Sequence, residues 1–266
     1  MAQQPILPSP AELKTQLLHT WSPFFARHGN FTPVQQRAMP PILAGKNTLI
    51  IAATASGKTE AALAPLLEHH LFPDDAALKA QPALAILYIC PTRALVRDLY
   101  ERLRLPLETL GIPVAMKSGD TGPVSAECPP TVLITTPEST DSLLTRVPRL
   151  FTTLRALVID EIHLFDHSPR GDHLRCLLRR IEIIQRYYQQ QLGVTSVPLQ
   201  RVALSATVPD PAGIVERYLV ESGSLQPPVS SPESAAVTII EVAGGRKLLA
   251  EIQPMQWLDK LVTALA

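Results

Sequence analysis

The chain has 266 residues, 46% of them apolar, with 24 basic residues against 24 acidic ones. That length and apolar share suit one large globular α/β domain and exclude a disordered or fibrous chain. A net charge of zero removes the bulk basic footprint of a general nucleic-acid binder, so any such binding has to come from local sites.

Residues 1–30 are expected as an N-terminal extension, and the opening MAQQPILPSPAEL has neither a basic nor an apolar leader region. With no apolar run of about 18 residues anywhere, the expectation is a cytoplasmic protein without a membrane partner. Cys90, Cys128 and Cys176 have no C-x-x-C spacing and are expected as reduced, mostly buried thiols rather than as a disulfide or zinc framework.

The stretch TLIIAATASGKTEAALAPLL predicts a strand over 48–52, a small-residue turn and a helix over 60–69. This is the layout of a phosphate-binding loop, in which successive backbone N–H groups and the free donors of the helix form a concavity for phosphate oxygens. Thr54, Ala55, Ser56 and Gly57 would form the loop around ATP, Lys58 would reach its β/γ-phosphates, and the Thr59 hydroxyl would sit on Mg²⁺. Ala52 stands where the full G-x-x-x-x-G-K-[ST] pattern has its first glycine, and a small-residue turn with a surface lysine would look similar in isolation.

A strand over 84–89 and a helix over 95–110 follow, joined through Pro91-Thr92-Arg93-Ala94-Leu95. Another strand over 132–135 and a short helix over 139–145 repeat the arrangement around Thr136-Pro137-Glu138-Ser139. Hydroxyls and helix N-termini at such exits suit a row of phosphates, and suit ordinary helix capping equally.

The strand over 154–159 ends in Asp160-Glu161-Ile162-His163. Two adjacent carboxylates at the end of a buried strand need a cation or hydrogen bonds, and the crevice outside strand ends is where open α/β sheets bind ligands. Asp160 could hold Mg²⁺ opposite Thr59, and Glu161 could orient and deprotonate a water.

In a helix over 173–191, Leu174, Leu177, Leu178, Ile181 and Ile184 form a core stripe, with Arg175, Arg179, Glu182 and Arg186 facing elsewhere. His163, His167 and His173 are expected as loop histidines. A strand over 200–204 leads to Ser205-Ala206-Thr207, whose hydroxyls could bond His163 and link the nucleotide site to the rest of the lobe. Residues 31–220 thus form a mostly parallel sheet with helices on both faces. Residues 221–266 are expected as a linker and the start of a second lobe or a C-terminal appendage, with a strand over 237–242 and an amphipathic helix from 258.

The ordered set TPVQQ, TASGKTEA, PTRAL, SGDT, TTPES, DEIH and SAT, over about residues 20 to 210, resembles the first motor lobe of a DExH-type superfamily 2 helicase. TTPES, SGDT and the pair Arg170-Gly171 make it most similar to the large helicase-related family. The resemblance implies a RecA-like P-loop fold, ATP and Mg²⁺ as cofactors, and ATP hydrolysis coupled to movement on single-stranded nucleic acid, DNA slightly favoured over RNA. It implies catalytic roles for Lys58, Asp160 and Glu161, adenine recognition by Gln35 with Thr32, and coupling through His163, Ser205 and Thr207. Thr92, Arg93, Gly119, Asp120, Thr136, Glu138 and Arg170 would line the nucleic-acid track.

Trp21 or Phe25 could pack on the base or serve the core. No Q-x-x-G-R-x-G-R pattern follows Thr207, so the expectation is a piece of a longer helicase, or a lobe that works with a second RecA-like lobe in cis or trans. Two other readings stay open: a P-loop ATPase of another class, which leaves PTRAL, TTPES and SAT unexplained, and a non-catalytic module that binds ATP or nucleic acid to recruit a partner.

Overall fold

The six expected strands and a seventh, short edge strand form one parallel sheet in the computed structural model, which describes residues 8–72, 84–119, 121–122, 124–125, 127–193, 198–220 and 237–242. In chain order they are β1 (Thr48–Ala52), β2 (Ile86–Ile89), β3 (Val114–Lys117), β4 (Val132–Thr135), β5 (Ala156–Ile159), β6 (Gln200–Ser205) and β7 (Thr238–Val242). Their order across the sheet is β3-β4-β2-β5-β6-β1-β7. The chain leaves β1 at one side and re-enters at β2, beyond β6 and β5. This jump opens a crevice at the carboxyl ends of β1 and β5, the usual place for a ligand in such sheets.

Alternation along each strand sends side chains to two separate cores, as a sheet covered on both faces requires. Ile50, Ile86, Tyr88, Ala156 and Val158 pack under the helices α2 (Trp21–Phe25), α3 (Pro33–Leu43), α4 (Lys58–Leu71) and α5 (Arg93–Thr109). Leu49, Ile51, Leu87, Leu157 and Ile159 pack under α6 (Pro137–Arg146) and α7 (Pro169–Leu192). The same parity puts Asp160, one residue past β5, on the face shared with Tyr88 and α4.

Residues expected as an N-terminal extension share the first of these cores. Leu13 and Leu17, in and just after α1 (Pro10–Gln16), are fully buried with Phe24 and Phe25. The carboxylate of Glu68 on α4 fixes this segment by accepting from the Thr20 amide at 2.9 Å and the Thr20 hydroxyl at 2.8 Å, and by lying 2.7 Å from His19 Nδ1. At the other end of the sequence, β7 lies in register on β1 as an edge strand of the same sheet. The Ser- and Pro-rich stretch 221–236 and the helix expected from 258 lie outside the described residues.

One expectation needs correction. Cys128 and Cys176 are exposed, and only Cys90, at the end of β2, is buried. Glu182, which lies off the core stripe of α7, is itself buried: it is 5% exposed and pairs with Arg201, which is 1% exposed on β6. Arg201 also donates to the carbonyls of Tyr218 (3.1 Å) and Val220 (3.2 Å), and Glu182 also accepts from Arg179 at 3.1 Å. A charge on an apolar strand drew its counter-charge inward, because an unpaired buried guanidinium costs more than burying the pair.

His70 on α4 closes another buried network. Its Nε2 lies 2.8 Å from Gln200 Oε1, and Gln200 Nε2 donates to the carbonyls of Ile42 and Lys46. Burial pushes its pKa from 6.5 down to about 3, so the folded chain keeps His70 neutral. Between those two values the unfolded chain binds one more proton than the folded one. Stability is therefore full above pH 6.5 and falls as the pH drops, by about 1.4 kcal/mol per pH unit, or about 2 kcal/mol at pH 5. Urea unfolding at pH 7.5 and pH 5, compared between the unaltered chain and His70→Gln, checks this: the variant should lose that part of the pH slope, and an identical slope would refute it.

Candidate nucleotide and nucleic-acid site

The phosphate-loop turn between β1 and α4 is built from local constraints at both ends. Gly57 adopts φ +85°, and Ala55 is also left-handed at φ +57°. A Cβ at Gly57 would lie 2.4 Å from the Gln35 amide nitrogen and would push that side chain aside, and the left-handed backbone strains any other residue there. Thr32 and Gln35 cap α3 reciprocally, Thr32 N donating to Gln35 Oε1 at 2.9 Å and the Thr32 hydroxyl accepting from Gln35 N. The same two side chains hold the loop, since Thr32 Oγ1 donates to the Ser56 carbonyl at 2.9 Å and Gln35 Nε2 to the Gly57 carbonyl at 3.4 Å.

A cleft of about 480 Å³ opens in front of this turn. Of the residues expected to bind ATP, it is lined by Thr32, Gln35, Thr54, Ala55, Gly57, Lys58 and Thr59, facing Asp160 and Glu161. The Ser56 hydroxyl is buried without a hydrogen-bond partner. Lys58 donates to the Ala52 and Ala53 carbonyls at 2.7 and 3.0 Å, and burial lowers its pKa against the opposing pull of Glu161 and Asp160.

Asp160 Oδ1 accepts from the Glu161 amide at 2.9 Å, and Oδ2 accepts from the Tyr88 hydroxyl at 3.2 Å. Burial, then the neighbouring Glu161 charge, pushes the Asp160 carboxyl up to about 6. Glu161 is left-handed at φ +46°, and its Oε2 has no hydrogen bond, with His163 Nδ1 at 3.4 Å. His163 Nδ1 lies 3.0 Å from Ser205 Oγ, which donates to the Thr207 carbonyl at 3.0 Å. Thr207 thus enters this chain of contacts through its backbone rather than its hydroxyl.

The aromatics offered for the base belong to the core. Phe25 is 1% exposed and packs edge-on against Phe31 at 5.1 Å, as does Trp21 at 4.9 Å. His28 and Asn30 line the cleft at that end instead. Asp98 and Arg102, from α5, also line it; their place is set by helix packing, with no motif to announce them in sequence.

A second groove, of about 500 Å³, opens at the same edge of the sheet. It gathers Thr92, Arg93, Gly119, Thr136, Glu138 and Arg170; Asp120 lies outside the described residues. Thr92 and Thr136 cap α5 and α6. Arg170 Nε donates to Glu138 at 2.9 Å and its NH2 to the Pro91 carbonyl at 2.8 Å, joining three of the groove's segments. Lys117 and Arg146 add cationic lining that sequence reading missed. Glu138, Ser142 and Arg146 follow one another at the four-residue spacing of a helix face, the one local signal that could have found Arg146.

Residues 32–214 match the DEAD/DEAH box helicase family. The chain belongs to that family. Among curated relatives, the Lhr helicase/probable uracil glycosylase of Mycolicibacterium smegmatis is 35% identical to this DEAD/DEAH box chain over 221 residues, 77% of the chain and 14% of that protein. The ATP-dependent helicase Lhr-Core of Methanothermobacter thermautotrophicus is 34% identical over 209 residues, 70% of the chain and 24% of that protein. The chain therefore spans only about a seventh to a quarter of the length of these relatives.

Among solved structures, the Mycobacterium smegmatis helicase Lhr bound to ssDNA and AMP-PNP superimposes with a TM-score of 0.67 at 32% identity, covering 86% of this chain and 28% of that one. The DEAD-box helicase Mss116, bound to ssRNA and UDP-BeF, matches at TM-score 0.61 and 18% identity, covering 90% of this chain and 44% of that one, and supports the RecA-like fold alone. No described helix is long and apolar enough to cross a membrane.

Proposed function

We propose that this chain is the ATP-binding first motor lobe of an ATP-dependent helicase or translocase that acts on single-stranded nucleic acid together with a second RecA-like lobe. The observation that carries the reading is the pairing of two clefts at one sheet edge: one in which Lys58 and Thr59 face Asp160 and Glu161, and one lined by Arg93, Thr136 and Arg170. A P-loop ATPase of another class accounts for the first cleft only.

In this reading the loop 54–57 and Lys58 bind the triphosphate, and Lys58 must leave the Ala52 and Ala53 carbonyls to do so. Thr59 and Asp160 would hold Mg²⁺: a hydroxyl and a carboxylate are both oxygen donors, as that ion prefers, and Asp160, buried beside the charge of Glu161, is a carboxylate that a cation would compensate. The ion supplies charge neutralisation at the transferring phosphate. Glu161 positions the water and takes its proton, while His163 and Ser205 relay its state toward β6. In the second groove the hydroxyls, helix N-termini and arginines meet a phosphate backbone and give weak sequence preference. The ssDNA in the related Lhr structure favours DNA over RNA. The reading places the protein in the cytoplasm, with 31–220 as the motor lobe proper and the chain beyond it leading toward the second lobe.

Calorimetry with Mg·ATP and Mg·GTP tests the nucleotide half of the proposal. Gln35 offers one donor and one acceptor to an adenine edge, a pattern that guanine reverses. ATP should bind at least about tenfold more tightly than GTP, a difference of about 1.4 kcal/mol, and Gln35→Ala should narrow the gap. Equal affinities would refute the assignment of Gln35, and failure to retain any single-stranded oligonucleotide on a filter would favour an ATPase of another class.

A further inference from the structure

Among the described lining residues of the ATP cleft, four carboxylates, Glu60, Asp98, Asp160 and Glu161, face two permanent cations, Lys58 and Arg102. Arg102 lies on α5, outside every motif, and its NH2 donates to the Thr59 hydroxyl at 3.2 Å. It is loosely held. The acceptor is neutral, the other partner, Asp98, stands 3.8 Å from Arg102 Nε, and the side chain is 52% exposed. A guanidinium so placed exchanges a weak neutral hydrogen bond for a charge-assisted one whenever a polyanion enters.

A bound cation also drives the exchange. When the Thr59 hydroxyl turns one of its two lone pairs to a divalent cation, that charge repels a guanidinium at the same oxygen. The anionic oxygens carried in with that cation are then the acceptors within reach of a side chain already at Thr59.

We infer that Arg102 is a nucleotide-binding residue of this lobe, one that leaves Thr59 on nucleotide entry and contacts the terminal phosphate oxygens of the bound triphosphate. The inference rests on the reading of this cleft as an ATP site. It gives the lobe a phosphate-contacting arginine of its own, besides any that a second lobe contributes. Because the contact is to the terminal phosphate, it distinguishes triphosphate from diphosphate, a distinction that Lys58 and the loop amides make less sharply.

The test is calorimetric titration of the 266-residue chain with Mg·ATP and Mg·ADP, for the unaltered protein and for Arg102→Ala, Arg102→Lys and Lys58→Ala. Arg102→Ala should weaken Mg·ATP binding by about ten- to a hundredfold, the range for loss of a charged hydrogen bond, and change Mg·ADP binding by less than about twofold. Arg102→Lys, which keeps a point charge and loses the fork, should recover part of the ATP affinity. A merely structural role in α5 would weaken both nucleotides alike, or lower the thermal midpoint, and would overturn the inference. So would Arg102→Ala binding ATP as the unaltered chain does while Lys58→Ala loses it. If Lys58→Ala also bound ATP normally, the reading of the cleft itself would be wrong.

Discussion

Glu161→Gln is expected to lower ATP turnover by about 10²- to 10⁴-fold, the range that a positioned general base contributes. Its Mg·ATP affinity should stay within about twofold, because Thr59, Asp160 and Lys58 are untouched. The side chain is placed for this role by its backbone: the left-handed turn at Glu161 swings its carboxylate off the line of β5 and next to His163. The assay is phosphate release with single-stranded DNA, with a second RecA-like lobe supplied. Without that lobe, turnover should already be slow, since an arginine finger at the γ-phosphate supplies about 10³ to 10⁵ in rate. Retained turnover in the variant would assign the base elsewhere, and fast turnover by the isolated chain would remove the need for a second lobe.

The largest effect on stability is expected from Glu182→Ala. Removing this carboxylate leaves Arg201 buried on the central strand β6 with its charge uncompensated, at a cost of about 3–5 kcal/mol. Domains of this kind have about 5–15 kcal/mol in all, so the variant should lose a large part of its margin. Arg201→Met combined with Glu182→Leu should recover much of the loss, because the apolar pair needs no counter-charge. Denaturant unfolding of the single and double variants measures both. A loss below about 1 kcal/mol for Glu182→Ala would mean that water reaches Arg201 in solution.

The central strands were legible because each carries an apolar run that stops at a small or polar residue or a proline, and the loop 54–57 because strand, small turn and helix follow directly. β3 was not legible. Its four residues, VAMK, are all half-buried at the sheet edge and carry neither alternation nor a continuous apolar run. The N-terminal helices were hidden by prolines that usually signal loops, although Pro10 and Pro33 begin α1 and α3, where proline is well tolerated. The capping boxes Ser9–Glu12 and Thr32–Gln35 were the available signal.

At the candidate site, motifs located the groups that lie on strand exits, because parallel strands bring all their carboxyl ends to one edge. They could not locate Tyr88 behind Asp160, Arg102 beside Thr59 or Arg201 against Glu182. These pairs lie 72, 43 and 19 residues apart and meet only through packing. Arg170 was expected to face nucleic acid, and its ties to Glu138 and Pro91 show a residue that shapes the groove as well as lining it.

Among the described residues, two of the three non-glycine residues with left-handed backbone, Ala55 and Glu161, line the ATP cleft. Such a conformation costs an ordinary side chain about 1–2 kcal/mol relative to the right-handed region, and glycine escapes most of that cost. Selection for thermal robustness alone would therefore drive both positions toward glycine. With Glu161 in its proposed role as the base, that path at 161 would end in a sturdier chain that holds nucleotide and no longer turns it over, so hydrolysis and hardiness would pull this lobe in opposite directions at a single residue.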